Sequence, residues 1–171
     1  MIVVALAAVL AAVAVPAVAA GMKRYVVISA SQQVAGAIRA ARFQAVAKNR
    51  ALRVRFNCPE DGQYRVVEVV NDAAIDDDEA RCETGDYPYP APDSDPDTVP
   101  NADGPVQYLP DGAEFGDADD LEIDTSGRVT PQTGCPNCAD GVAPGTIVVS
   151  NGDEDQDRTI TVSASGRVQL P

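Results

Sequence analysis

Four cysteines, Cys58, Cys82, Cys135 and Cys138, are the residues of this 171-residue chain best suited to covalent or metal chemistry. They allow three complete disulfide pairings, and spacing alone does not choose among them. Cys58 with Cys82 would staple a predicted hairpin to the acidic stretch that follows it. Cys135-Pro136-Asn137-Cys138 has the outline of a dithiol motif. A thioredoxin-type site, however, needs that motif at a helix N-terminus after a strand, and here it stands among Gly, Pro and Asp. Structural disulfides, a four-cysteine zinc site and redox chemistry are the three readings, and an oxidising compartment favours the first.

Carboxylates are the second resource. Asp93, Asp95 and Asp97, and again Asp153, Asp155 and Asp157, have the i, i+2, i+4 spacing that begins an EF-hand loop. Both runs lack the sixth-place glycine, where Thr98 and Arg158 stand, and the acidic twelfth ligand, where Gly104 and Ala164 stand. They read as solvated acidic loops. The chain has no histidine, which removes His triads, His metal sites and the usual near-neutral proton shuttle. No carboxylate pair stands out as acid and base. No enzyme activity, cofactor or bound metal is expected.

Charge is sharply divided along the chain. Residues 1–55 carry eight basic residues and no acidic one, whereas residues 56–171 carry five basic and all 26 acidic residues, a local net of −21. That surplus repels nucleic acid and anionic membrane at long range.

The elements that must position these groups begin with an apolar run, MIVVALAAVLAAVAVPAVAAGM, uncharged until Lys23. Twenty residues of helix span about 30 Å, the hydrocarbon thickness of a bilayer. Residues 1–22 therefore read as a transmembrane or filament-core helix, with Val4, Leu6, Val9, Leu10 and Val13 as its contact residues. Pro16 and Gly21 are the places where it should bend, since an interior proline removes a hydrogen bond. A signal peptide cleaved after Ala17-Val18-Ala19 is the rival, but no basic residue precedes the run and it exceeds a typical signal core. Residues 23–50 continue as an amphipathic helix, with Val34, Ile38, Ala41 and Ala45 at helical spacing. The pattern then changes to period two in ALRVRF and YRVVEVV, a hairpin turned by Asp61-Gly62. Residues 71–104, crowded with Asp and Pro, read as a disordered or irregular insertion in an acidic β domain covering 51–171. Further strands are expected in PVQYLPDGAEF, in LEIDTSGRVT, and in GTIVVS and RTITVSASGRVQL. The fold class is α+β: a long N-terminal helix packed on an antiparallel sheet domain.

On these residues the chain resembles type IV pilin-like proteins, and in detail the FimT/GspH family of minor pilins and type II secretion pseudopilins. The apolar helix reaching Ala14-Val15-Pro16 and its amphipathic continuation carry the general likeness. TIVVSNG, RTITVSASGRVQL and, more loosely, YLPDG carry the specific one. Precursors in that family have a leader ending in Gly, then a Phe-Thr-Leu-Ile-Glu-Leu stretch often followed by Met-Ile-Val-Val. The expectation is that in-frame DNA upstream of Met1 encodes such a leader and its glutamate.

The resemblance implies a minor pilin or pseudopilin of a type II secretion pseudopilus or type IV pilus. Its partners would be other pilin subunits, through the N-terminal helix, and the inner membrane. It would be a single-pass inner-membrane protein with the β domain in the periplasm or on an extracellular filament. Lys23 and Arg24 oppose that orientation by the positive-inside rule. A second reading is DNA capture, because tails of some FimT-like proteins resemble Gly-Arg-x-Arg. Here Gly166-Arg167-Val168-Gln169 keeps only Arg167, so nucleic acid is an unfavoured partner. A third reading is a secreted acidic module released after Ala19.

Overall fold

In a computed structural model, residues 2–90, 100, 103–131, 145–152 and 156–170 are described, with side chains from residue 21 onward. Among the described residues one long helix, α1 (Ile2–Lys48), is followed by nine short strands and two short helical turns. Its backbone is helical through Pro16 and Gly21, where a bend or local melting was expected. One missing hydrogen bond in a helix of 47 residues does not end it. Arg50 N–H donates to the Ala45 carbonyl and Asn49 takes φ 53°, which closes the C-terminus.

One face of α1 is the centre of the core. Val27, Ala30, Val34, Ala35, Ile38, Ala41 and Ala45 are all buried to 1% exposure or less. Apart from the adjacent pair Val34 and Ala35, their spacing of three and four makes a single stripe, and its alanines let two sheets approach the helix closely. β1 (Leu52–Phe56) and β2 (Gln63–Glu68) form the expected hairpin, in the register Leu52↔Glu68 to Phe56↔Tyr64. With β3 (Val106–Tyr108), β5 (Leu121–Ile123) and β6 (Val129–Pro131) they make a five-stranded sheet in the order β3-β2-β1-β5-β6. The second sheet, β4-β7-β8-β9, joins β4 (Glu114–Ala118), β7 (Gly145–Ser150), β8 (Arg158–Val162) and β9 (Val168–Gln169). Among the described residues every pairing within the two sheets is antiparallel. Strands of both sheets touch α1, and Leu52, Val54, Leu121, Ile123, Ile147, Val149, Ile160 and Val162 fill the space beneath it. Phe56, Tyr64 and Phe115 stack at one end, with ring centroids 5.1 to 6.4 Å apart.

The other end is closed by Arg42. Its Nε donates to the Gly127 carbonyl at 2.9 Å, and Gly166 packs against the same nitrogen and carbonyl. A Cβ at Gly166 would stand 2.7 Å from that nitrogen and 2.8 Å from the Gly127 carbonyl oxygen, in a backbone of φ +76°. Both the close approach and the left-handed conformation demand glycine. Gly36, mid-helix, has open space where a Cβ would go.

These two glycines should respond with opposite sign. Gly166→Ala is expected to destabilise the fold by about 2–3 kcal/mol, while Gly36→Ala should stabilise it by about 0.5–1 kcal/mol. Urea midpoints of the two variants against the parent check both directions.

Candidate functional site

Segment 71–90, expected to offer little to bury, docks on β2 through charge. α2 (Ala73–Asp76) is capped by Asp72, whose carboxylate accepts from Ala74 N–H, and the 3₁₀ turn Glu79–Cys82 is capped likewise by Asp78. Arg81, fully buried, donates to both oxygens of Asp103 at 2.7 and 3.2 Å and to the Glu68 carbonyl at 2.7 Å. Asp103 also accepts from Glu68 N–H at 2.8 Å. Arg65, equally buried, donates to the carbonyls of Gly104, Arg81 and Tyr87, and burial lowers its guanidinium below the ordinary value. The Arg81 guanidinium also stands 5.1 Å from the Tyr87 ring centroid. Polar burial on this scale persists only where nearly every lone pair and proton is used.

A disulfide joins Cys58, just after β1, to Cys82, at the end of the 3₁₀ turn. It closes a loop of 24 residues, worth about 3 kcal/mol in chain entropy. Cys135 and Cys138, and the Asp93-95-97 run, lie outside the described residues, as do Asp153 and Asp155. Among the described residues no cluster of metal-ligating side chains occurs.

Beside the disulfide opens a cleft of about 650 Å³, lined by Phe56, Pro59, Glu79, Glu83, Asp86 and Asp120 among others. Asp120 accepts from Phe56 N–H at 3.1 Å and stands 3.5 Å from Arg55 Nε. Burial nevertheless raises its carboxyl above the ordinary 3.8, the backbone bond and Arg55 offsetting only part.

The outward face of α1 is the second surface. Met22, Tyr25, Phe43 and Val46 are exposed there, Phe43 to 74%. The backbone of Val4, Leu6, Val9, Leu10, Val13 and Pro16 belongs to the same helix, their side chains lying outside the described residues. Gly21 is exposed. Among the residues whose side chains are described, from residue 21 onward, no helix is long and apolar enough to cross a membrane. Arg167 is exposed in the turn between β8 and β9, its N–H donating to Ser163 Oγ at 3.1 Å.

The family described as type II transport protein GspH matches residues 30–166. The chain belongs to the GspH family. Its fold is that of the type IV minor pilin FimU of Pseudomonas aeruginosa, with a TM-score of 0.52 and 16% identity over 87% of this chain and 90% of FimU. The minor pseudopilin EpsH from the type 2 secretion system of Vibrio cholerae is similar at 15% identity and a TM-score of 0.46, over 82% of this chain and 92% of EpsH. A search of curated proteins finds no match. The expected pilin-like α+β class is therefore the observed one.

Two features escaped the sequence reading. The Arg65-Arg81-Asp103 cluster has no local pattern, since its members come from three separate stretches. The meeting of Gly127 and Gly166 on Arg42 did leave a signal: Ser-Gly-Arg-Val occurs at 126–129 and again at 165–168.

The raised Asp120 pKa means that the folded chain holds that proton more tightly than the unfolded chain, so its ionisation costs stability as pH rises above 3.8. Asp120→Asn should match the parent below that pH and exceed it at pH 7. Denaturation midpoints at pH 3.5 and 7 give the comparison; a variant weaker than the parent at pH 7 contradicts it.

Proposed function

We propose that this GspH-family chain is a minor pilin or pseudopilin subunit: a structural and assembly component of a type II secretion pseudopilus or type IV pilus, and not an enzyme. The observation that carries this reading is the division of α1. From Val27 to Ala45 one stripe is sealed against both sheets, while the preceding run, Ile2 to Ala20, continues as helix with no charged residue. The first part fixes the domain rigidly to the second. A run of that composition has two suitable surroundings, a bilayer or the apolar centre of a helical assembly. Anchoring in the inner membrane before assembly, with the β domain on the periplasmic side, uses both in turn.

The same rigidity gives the helix its task. Within lipid the hydrophobic effect between helices largely vanishes, so packing of small side chains must hold neighbours together. Ala and Val dominate the run. The β domain then lies at a fixed height and rotation on the outside of the filament.

DNA capture is the weaker reading. Arg167 is a single candidate phosphate contact, and the −21 charge of residues 56–171 opposes an approaching polyanion.

The intact mass of the exported chain tests the proposal against a secreted module. Retention of the apolar helix is expected; an N-terminus at Ala20 would overturn the subunit reading.

A further inference from the structure

The two Ser-Gly-Arg-Val stretches build one corner of the domain. The first turns β5 into β6 and the second turns β8 into β9, and Val129 N–H donates to the Ala164 carbonyl at 3.0 Å, which holds the turns side by side. Gly127 and Gly166 both pack on the Arg42 side chain. Arg128 and Arg167, each next to one of those glycines, therefore stand beside Arg42, and Arg39 lies about one helical turn back. All four are exposed. Arg39, Arg42 and Arg167 form no ion pair among the described residues. The acid facing Arg128 is Asp124, which closes its own turn by accepting from Ser126 and from Arg128 N–H. Arg39, Phe43 and Val46 recur at spacings of four and three along one line of α1, and Phe43 and Val46 are 74% and 51% exposed. An exposed aromatic ring among arginines is the composition that protein interfaces concentrate at their centres.

Three occupants fit this corner poorly. Arg42 lies 20 residues past Met22 in one unbroken helix, about 30 Å along its axis, which is several times the screening length of about 8 Å and too far for a bilayer that holds the apolar run. DNA would answer the arginines, but it leaves Phe43 without a partner and meets the −21 charge of residues 56–171. A second copy is not the neighbour a minor subunit meets, and its α1 would set basic residues against basic ones, since residues 1–55 contain no acid.

We infer that this corner is the docking site for a filament subunit of a different kind, one that presents carboxylates around an apolar socket for Phe43. The inference rests on the filament-subunit reading and names the chemistry of the neighbour. The corner stands at the end of α1 opposite the apolar run, so the two make separate contacts. Packing among small apolar side chains discriminates little between partners. Carboxylates opposite four arginines discriminate strongly, because a partner without them leaves guanidinium groups desolvated and unpaired. The corner selects the neighbour, and the helix holds it.

The test is photo-crosslinking from a benzophenone amino acid at position 43 of the full chain, in cells that assemble the filament, with position 9 in the apolar run as the assembly control. Adducts to a different pilin-like subunit, mapping beside its Asp or Glu residues, are expected. Arg39→Glu/Arg167→Glu should lower them by about tenfold or more, with Arg39→Gln/Arg167→Gln falling between, while adducts from position 9 and the Cys58–Cys82 bond persist in both variants. Exchange of the mapped carboxylates for arginine on the partner should restore the adducts of the Glu variant. Adducts to a second copy of this chain, to a secreted protein or to DNA overturn the inference, as does insensitivity to the charge reversal. Adducts from position 9 without any from position 43 overturn it and leave the filament reading standing; none from either position overturns both.

Discussion

Everything in this fold depends on the stripe Val27, Ala30, Val34, Ile38, Ala41 and Ala45, which one helix must bury against two sheets at once. Each of the larger members contributes about 1.5–3 kcal/mol by leaving water. The small ones matter for a different reason: alanine lets the strands approach within packing distance on both sides. Because the stripe is shared, neither sheet can move without uncovering the other's core. That coupling turns the preceding part of α1 into a rigid handle for the domain.

Charge organises what apolar burial leaves open. Arg81 and Arg65 draw an otherwise polar segment onto β2 by offering buried donors to Asp103 and to a set of carbonyls. The disulfide from Cys58 to Cys82 ties the same segment to the hairpin. Removing one partner of such a buried pair costs about 3–5 kcal/mol, because the other is left charged and dry. Arg42 plays a parallel part at the opposite end, where it spans the gap between the two sheets through two glycine turns.

The legible parts of the sequence were those governed by local period. Val34, Ile38, Ala41 and Ala45 announced the helix face, and the alternation in LRVRF and RTITV announced strands, because 3.6-residue and 2-residue repeats register directly in composition. The docking of residues 71–90 was not legible. Asp76, Arg81 and Asp103 have the composition of a solvated loop, and only their distant partners make their burial possible. The cleft is hidden for the same reason, since Asp120 and Glu83 meet only after β1 and β5 have paired. The repeated Ser-Gly-Arg-Val was visible as text, but nothing local says that both turns face one arginine. Membership of the GspH family and the division of α1 together support a subunit held in its assembly by the helix.

Genetic complementation tests that claim most directly. In a strain lacking this gene, the full chain should restore secretion or piliation. A Val9→Lys variant, which places a charge in the apolar run at a cost of about 3 kcal/mol or more, should fail although its Cys58–Cys82 bond forms. Full restoration by Val9→Lys, or by the domain exported without its apolar helix, would contradict the account.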